Sequence, residues 1–239
     1  MKKLLPLALA AACFSPAAFA ADISTLNLLS QTEFRDLSED LGAALSYKSV
    51  QPAEPLGVTG FDVGLEVTAT DISKSSSALS HASGGSTPVS TLYVPKLHVA
   101  KGLPFGIDVA ASVAVVPTTN IRVVGAELRY ALMEGGVALP AVAIRGAISS
   151  LSGVDQLSFS TKSLDISISK GFAMITPYAG VGQVWVDSKA NVGTLSEETF
   201  SQGKFFVGAN LNFGLMNFAL EADKTGGTQS YTAKLGFRF

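Results

Sequence analysis

The stretch "YTAKLGFRF" (Tyr231–Phe239) alternates without a slip: Tyr231, Ala233, Leu235, Phe237 and Phe239 on one side, Thr232, Lys234 and Arg238 on the other. A period of two over this length is the pattern of a β-strand with one apolar face. The polar face carries ionised groups at mid-strand, where a soluble sheet would still have to keep them wet. The same pattern recurs upstream. "MNFALEAD" (216–223) opposes Met216, Phe218 and Leu220 to Asn217, Glu221 and Asp223. "FFVGANLNF" (205–213) sets Phe205, Val207, Leu211 and Phe213 against Lys204, Asn210 and Asn212, and "SLDISIS" (163–169) sets Leu164, Ile166 and Ile168 against Asp165.

The first half follows suit. "GFDVGLEVTAT" (60–70) places Asp62 and Glu66 opposite Phe61, Val63, Leu65 and Val67, while "YVPKLHVA" (93–100) places Lys96 and His98 opposite Tyr93, Leu97 and Val99. "FGIDVAASVAVV" (105–116) isolates Asp108, "VGAELRYAL" (124–132) isolates Glu127 and Arg129, and "AVAIRGAIS" (141–149) isolates Arg145. Two places resist. "AMITPYAGVGQVWVDS" (173–188) shows no clear phase, and Phe159 is out of step with Leu164, which predicts a bulge near Thr161–Ser163. Ten strands are predicted, at 58–71, 90–100, 105–116, 121–133, 138–149, 156–169, 173–187, 203–213, 216–225 and 229–239. Their lengths meet or exceed the ~9–11 tilted residues that cross a hydrocarbon layer.

The start of the chain constrains the setting. "MKKLLPLALAAACFSPAAFAAD" runs from two lysines through an apolar stretch to small residues, the order of a secretory leader cleaved between Ala20 and Ala21. Reading Cys13 as a lipid-attachment site fits less well, because Ala10 stands three residues before it. Residues 1–20 are thus read as signal peptide, and loss of Lys2 and Lys3 takes the formal charge from −2 to −4. The single cysteine leaves with the leader, so neither disulfides nor thiolate metal sites are expected. With two histidines and no ligand spacing, neither metal nor cofactor is predicted. The acidic balance gives no reason to expect nucleic acid.

Hydrophobic residues make up 47% of the chain, yet no later run approaches the ~18 apolar residues of a membrane helix. Only helices and closed barrels satisfy their backbone inside a bilayer. Three features favour a barrel over a soluble sandwich. Charges concentrate on one face of nearly every strand. Tight connections ("KGLPFG", "EGG", "SKGFA", "GLMN") alternate with others that include "SKSSSALSHASGGSTP" and "SKANVGTLSEETFSQG". Aromatics sort by height: Phe61, Phe105, Tyr130, Phe172, Phe213, Phe218 and Phe237 toward the short-turn rim, Tyr93, Phe205 and Tyr231 toward the other, with Trp185 an interface anchor. The predicted fold is all-β, a closed antiparallel transmembrane β-barrel of about ten strands (57–239), preceded by a short amphipathic helix in 21–56.

That helix is marked by Ser30 and Glu33 at capping-box spacing, with Phe34, Leu37, Leu41 and Leu45 as its apolar stripe. An even strand count puts both barrel ends at one rim, the periplasmic one. The helical segment is therefore expected to begin there, packed on that rim or folded up as a lumen plug.

The ending "GFRF" resembles the C-terminal assembly signal of bacterial outer-membrane barrels. The resemblance implies that Tyr231, Leu235, Phe237 and Phe239 are recognised by the barrel-assembly machinery. More widely, "TEFRDLSEDLGAALSYKSVQPAEPLGVTGFDVGLEVTAT" followed by ten strands resembles an uncharacterised family of proteobacterial outer-membrane barrels. It implies a Gram-negative outer membrane, with lipid as the surrounding partner, and leaves the functional partner unknown.

The polar faces should point into the lumen. Asp62, Glu66, Asp108, Glu127, Asp165, Glu221 and Asp223 then meet Lys96, Arg129, Arg145, Lys204, Lys234 and Arg238, with His98 among them. Ten strands lie near the size that side chains fill, so these groups should pair into a network rather than line an open ion-selective pore. The leading reading is a non-enzymatic structural or interaction barrel with surface loops. The alternatives are a narrow, porin-like solute conduit gated by the helix, and an embedded hydrolase using His81 or His98.

Overall fold

In the computed structural model, residues 22–116 and 118–239 are described; the expected leader, Cys13 and the Ala20/Ala21 cleavage position lie outside them. The described residues form ten strands: β1 (Phe61–Asp71), β2 (Thr91–Leu103), β3 (Ile107–Val115), β4 (Arg122–Glu134), β5 (Ala141–Ser152), β6 (Leu157–Ser169), β7 (Ile175–Ala190), β8 (Glu198–Phe213), β9 (Met216–Thr225) and β10 (Thr228–Arg238). Two helices accompany them, α1 (Gln31–Leu45) and α2 (Ser76–Ala82). Each strand pairs antiparallel with the next, and β1 pairs with β10 to close the barrel. Phe239 completes that seam: Phe61 N–H donates to its carbonyl at 2.8 Å, its own N–H donates back at 3.0 Å, and the two rings lie 5.6 Å apart.

The wall faces outward with its apolar side. Leu65 is 66% exposed, Leu220 63% and Phe237 60%. A continuous apolar exterior of this kind is what lipid wets and water does not. The aromatics assigned to the short-turn rim, Phe61, Phe105, Tyr130, Phe172, Phe213, Phe218 and Phe237, are all exposed on this wall, as is Phe239. Near the other rim, Tyr93 and Tyr231 both stand opposite Ala69 and therefore share one height.

Three local expectations are corrected. The β6 ladders run through Thr161–Ser163 without a shift; the irregularity lies in β4, between Ala131 and Met133. Phe159 is out of step with Leu164 because it points inward and is buried. The stretch after Ser188 is mostly strand, since β7 continues to Ala190 and β8 starts at Glu198. In the connection after β1, α2 occupies part of what reads as an open loop.

The interior has two storeys. Toward the short-turn rim it is ionic, as the alternation implies. Toward the long-loop rim it is apolar: Leu92, Val94, Val123, Leu151, Phe159, Val184 and Val186 point inward and belong to one core. What they enclose is the chain's own N-terminal segment.

Candidate functional site

Residues 22–56 run through the barrel from one rim to the other. The segment starts at the long-loop rim, opposite to the rim expected from strand parity, and reaches the short-turn rim only as it joins β1. At the start it straps the loops together. The Ile23 N–H donates to Asn120 Oδ1 and the Asn120 amide returns a bond to Ile23 O, each at 3.2 Å. Leu26 N–H donates to Gln156 Oε1 at 3.0 Å, the Ser24 and Thr25 N–H groups donate to Ala82 O, and the Gln31 amide donates to Ser196 O.

α1 then descends into the lumen. Its capping box is formed: Glu33 N–H donates to Ser30 Oγ at 3.3 Å, and Ser30 N–H donates to Glu33 Oε2 at 2.9 Å. The Ser30 backbone and hydroxyl hold the Glu33 carboxyl below its ordinary range. Phe34, Leu37, Leu41 and Leu45 are buried against the apolar storey. The helix can lie this close because position 42 is glycine; a Cβ there would stand 2.8 Å from Val186 Cγ2 and 2.9 Å from Gln202 Oε1. On the polar side, buried Asp40 accepts from Ser75 N–H at 3.0 Å and from the Ser75 and Thr228 hydroxyls at 2.7 Å. Lys74 pairs with Asp36 at 2.9 Å and Glu39 at 2.5 Å, and Arg35 joins Glu39 at 2.7 Å to Glu198 at 3.0 Å. The strap and helix thus hold the loops after β1, β3, β5, β7 and β9 together.

Beyond Leu45 the chain is irregular, so its backbone groups need partners inside the barrel. The wall supplies them. Ser149 Oγ donates to Leu45 O (2.8 Å), Lys204 to Tyr47 O (3.3 Å), Lys96 to Lys48 O (2.5 Å) and Arg129 to Pro52 O (2.6 Å). Arg238 donates to Glu54 O at 3.4 Å, Ser169 Oγ accepts from Ala53 N–H at 3.1 Å, and Asp108 accepts from Leu56 N–H at 3.1 Å. Side chains add to this: Lys48 Nζ lies 2.8 Å from Asp223 Oδ1, Ser49 Oγ donates to Glu127 Oε1 at 3.2 Å, and Gln51 Nε2 is 3.5 Å from His98 Nδ1.

All fourteen lumen candidates are inward and largely buried: Asp62, Glu66, Lys96, His98, Asp108, Glu127, Arg129, Arg145, Asp165, Lys204, Glu221, Asp223, Lys234 and Arg238. They pair across neighbouring strands: Arg129 with Asp108 and Arg145 with Asp165 (both 2.7 Å), Lys96 with Glu66 (2.7 Å), Lys234 with Asp62 (2.6 Å). Tyr178 donates to Glu221 at 3.0 Å. Seven wall acids face six wall bases, and Lys48 of the threaded segment evens the count. The network is a cradle for the chain that passes through it. Near that chain's upper turn lies a cavity of about 30 Å³ beside Tyr47 and Lys48, room for roughly one water.

The two histidines are not brought together. His98 is fully buried in the lumen, 3.6 Å from Glu66 Oε1. His81 sits at the long-loop rim with its Nδ1 2.9 Å from Glu33 Oε1, where it buttresses the capping box. Reading the sequence missed Tyr47, Lys48, Ser49 and Gln51, because a turn after a helix carries no period. It also missed Tyr178 and Phe206, which are inward and buried. The unbalanced seven against six was the available sign that a cation comes from elsewhere.

Neither a protein-family profile nor a curated relative matches the chain. Among solved structures it is similar to a KdgM porin in complex with disordered oligogalacturonate (TM-score 0.41, 6% identity, covering 74% of this chain and 99% of that one). It is also similar to LpxR from Salmonella typhimurium (TM-score 0.36, 10% identity, 74% and 100%) and to Ail of Yersinia pestis (TM-score 0.31, 12% identity, 75% and 98%). At these identities and scores the likenesses carry nothing about activity.

Proposed function

We propose that this chain is a sealed outer-membrane barrel that acts by display. Its N-terminal segment stays in the lumen, and the long-loop rim, faced by the strap, α1 and α2, is the surface it offers to the outside. The observation that supports this reading is the apolar upper storey. Withdrawing α1 would expose Phe34, Leu37, Leu41 and Leu45, at about 1.5–3 kcal/mol each, together with the wall they cover. A gate would be built to move at lower cost. The lumen charges serve to hold an irregular chain inside the barrel and do not form an ion filter. Export uses residues 1–20 as leader with cleavage at Ala20/Ala21, and Tyr231, Leu235, Phe237 and Phe239 present the last strand to the barrel-assembly machinery. The protein carries no catalytic role in this reading.

Single-channel recording in planar bilayers tests it. The full chain should stay silent, and a version lacking 22–56 should either conduct or fail to fold. Steady conductance from the full chain would replace display with the gated-conduit reading. Maleimide labelling of Asn27→Cys on intact cells, in a Cys13→Ser background, should succeed if the strap faces outward; Asn27 lies in the exposed part of the strap.

A further inference from the structure

On the outer wall, polar residues gather across β4, β5 and β6. There Val124 stands opposite Ser150, Ser150 opposite Ser160, and Ile148 opposite Lys162. Val124, Ile148, Ser150, Ser160 and Lys162 line a surface depression of about 330 Å³. Its lining is mostly apolar and continuous with the belt; Ser150 and Ser160 stand one outward position above the Ile148–Lys162 pair. Lys162 is mostly exposed, and its nearest carboxylate, Asp187, is 3.9 Å away and itself 41% exposed. Arg122, one outward position above Val124 on β4, is exposed and has no ion pair among the described residues. Trp185, opposite Lys162 on β7, places this level at the edge of the belt, where indole rings settle.

A lysine on a lipid-facing wall must find a polar partner at the headgroup level. Two cations and two hydroxyls beside an apolar depression match an anionic headgroup whose acyl chain lies in the depression. We propose that this notch binds one net-anionic phospholipid of the leaflet at the long-loop rim, with Arg122 and Lys162 meeting a headgroup charge that no choline offsets and Val124 and Ile148 supporting a chain. The proposal rests on the membrane reading of the barrel. Ser150 and Ser160 also line the adjoining depression, where Lys189 is set among Asp155, Asp187 and Glu197; Lys189 itself does not line the notch.

The test is native mass spectrometry of the full chain released from detergent. It is offered equal amounts of dioleoylphosphatidylglycerol and dioleoylphosphatidylcholine. The wild type should retain the anionic lipid about tenfold over the neutral one, the size of one charge-assisted contact. Arg122→Gln/Lys162→Gln should abolish that preference, Asp187→Asn should increase it, and Lys224→Gln should leave it unchanged; Lys224 is an outward lysine on β9. Millimolar inorganic phosphate should not displace the lipid. Retention unaffected by the double substitution, equal retention of both lipids, loss in Lys224→Gln, or displacement by free phosphate would each overturn the proposal. All four positions are on the outer wall, so folding is checked by heat-dependent gel mobility. A chain that is monomeric without detergent would sink the membrane reading itself; one that needs detergent but does not distinguish the anionic from the zwitterionic lipid sinks only the notch.

Discussion

Substituting Lys48→Met isolates the contact that ties the threaded segment to the wall. Lys48 Nζ lies 2.8 Å from Asp223 Oδ1, and both side chains are essentially without solvent exposure. Methionine keeps the stem and removes the charge, leaving Asp223 buried with the Thr225 hydroxyl at 3.2 Å as its remaining side-chain donor among the described residues. Breaking one half of a buried pair costs about 3–5 kcal/mol, whereas replacing both halves by apolar groups is often neutral. Lys48→Met should therefore destabilise strongly, and Lys48→Met/Asp223→Leu should recover most of the loss. Guanidinium unfolding in micelles, followed by the fluorescence of Trp185, reads this out. With a slope of about 2–6 kcal/mol/M, the single variant should unfold about 0.5–2.5 M earlier. A single variant within about 0.5 kcal/mol of wild type, or a double variant no better than the single, would refute the burial of this pair.

Gly125 faces Tyr47, and a Cβ there would stand 2.6 Å from Tyr47 Cδ2. Gly125→Val should cost about 1–3 kcal/mol in the same unfolding assay, while Tyr47→Phe, which removes a buried hydroxyl that makes no hydrogen bond among the described residues, should cost well under about 1 kcal/mol. Glu33 titrates below its ordinary range because Ser30 donates to its charged form. Its contribution is present above the unfolded carboxyl value of about 4.5 and is lost as pH falls through the lower folded value. Glu33→Gln should therefore lose less stability than wild type between about pH 7 and pH 3, and parallel losses would contradict the assignment. Deleting Phe239 removes two backbone hydrogen bonds and a ring contact from the β1–β10 seam. Membrane-assembled protein, measured by heat-dependent mobility, should fall several-fold; unchanged assembly would deny the seam that role.

The wall was legible because lipid imposes one rule across the middle of the strands: most outward positions are apolar, whatever they touch. That rule made the period of two visible and set Asp62, Glu66, Lys234 and Arg238 apart. The upper lumen was not legible, because its inward positions obey a partner instead of a solvent. In β7 the inward Tyr178, Val184 and Val186 alternate with the outward Ala179, Val181 and Trp185, so both faces are apolar and the period vanishes. Phe159 suggested a bulge for the same reason. Strand parity located the junction of the N-terminal segment with β1, but it says nothing about how far upstream residues reach. Thirty-five residues, part helix and part extended, are enough to reach the far rim. What the sequence did show, in Phe34, Leu37, Leu41 and Leu45, was a stripe in need of an apolar surface. That surface could be named only once the closed barrel put Val94, Val123, Leu151 and Val186 on its inside.

Whether residues 22–56 occupy the lumen is tested most directly by a cross-link between Ser38 of α1 and Ser188 of β7, whose hydroxyls lie 2.8 Å apart. In a Cys13→Ser background, Ser38→Cys/Ser188→Cys should oxidise within the folded barrel, leaving both thiols unreactive to maleimide until reduced. Two thiols that stay free and label at full rate in the folded protein would place the helix elsewhere.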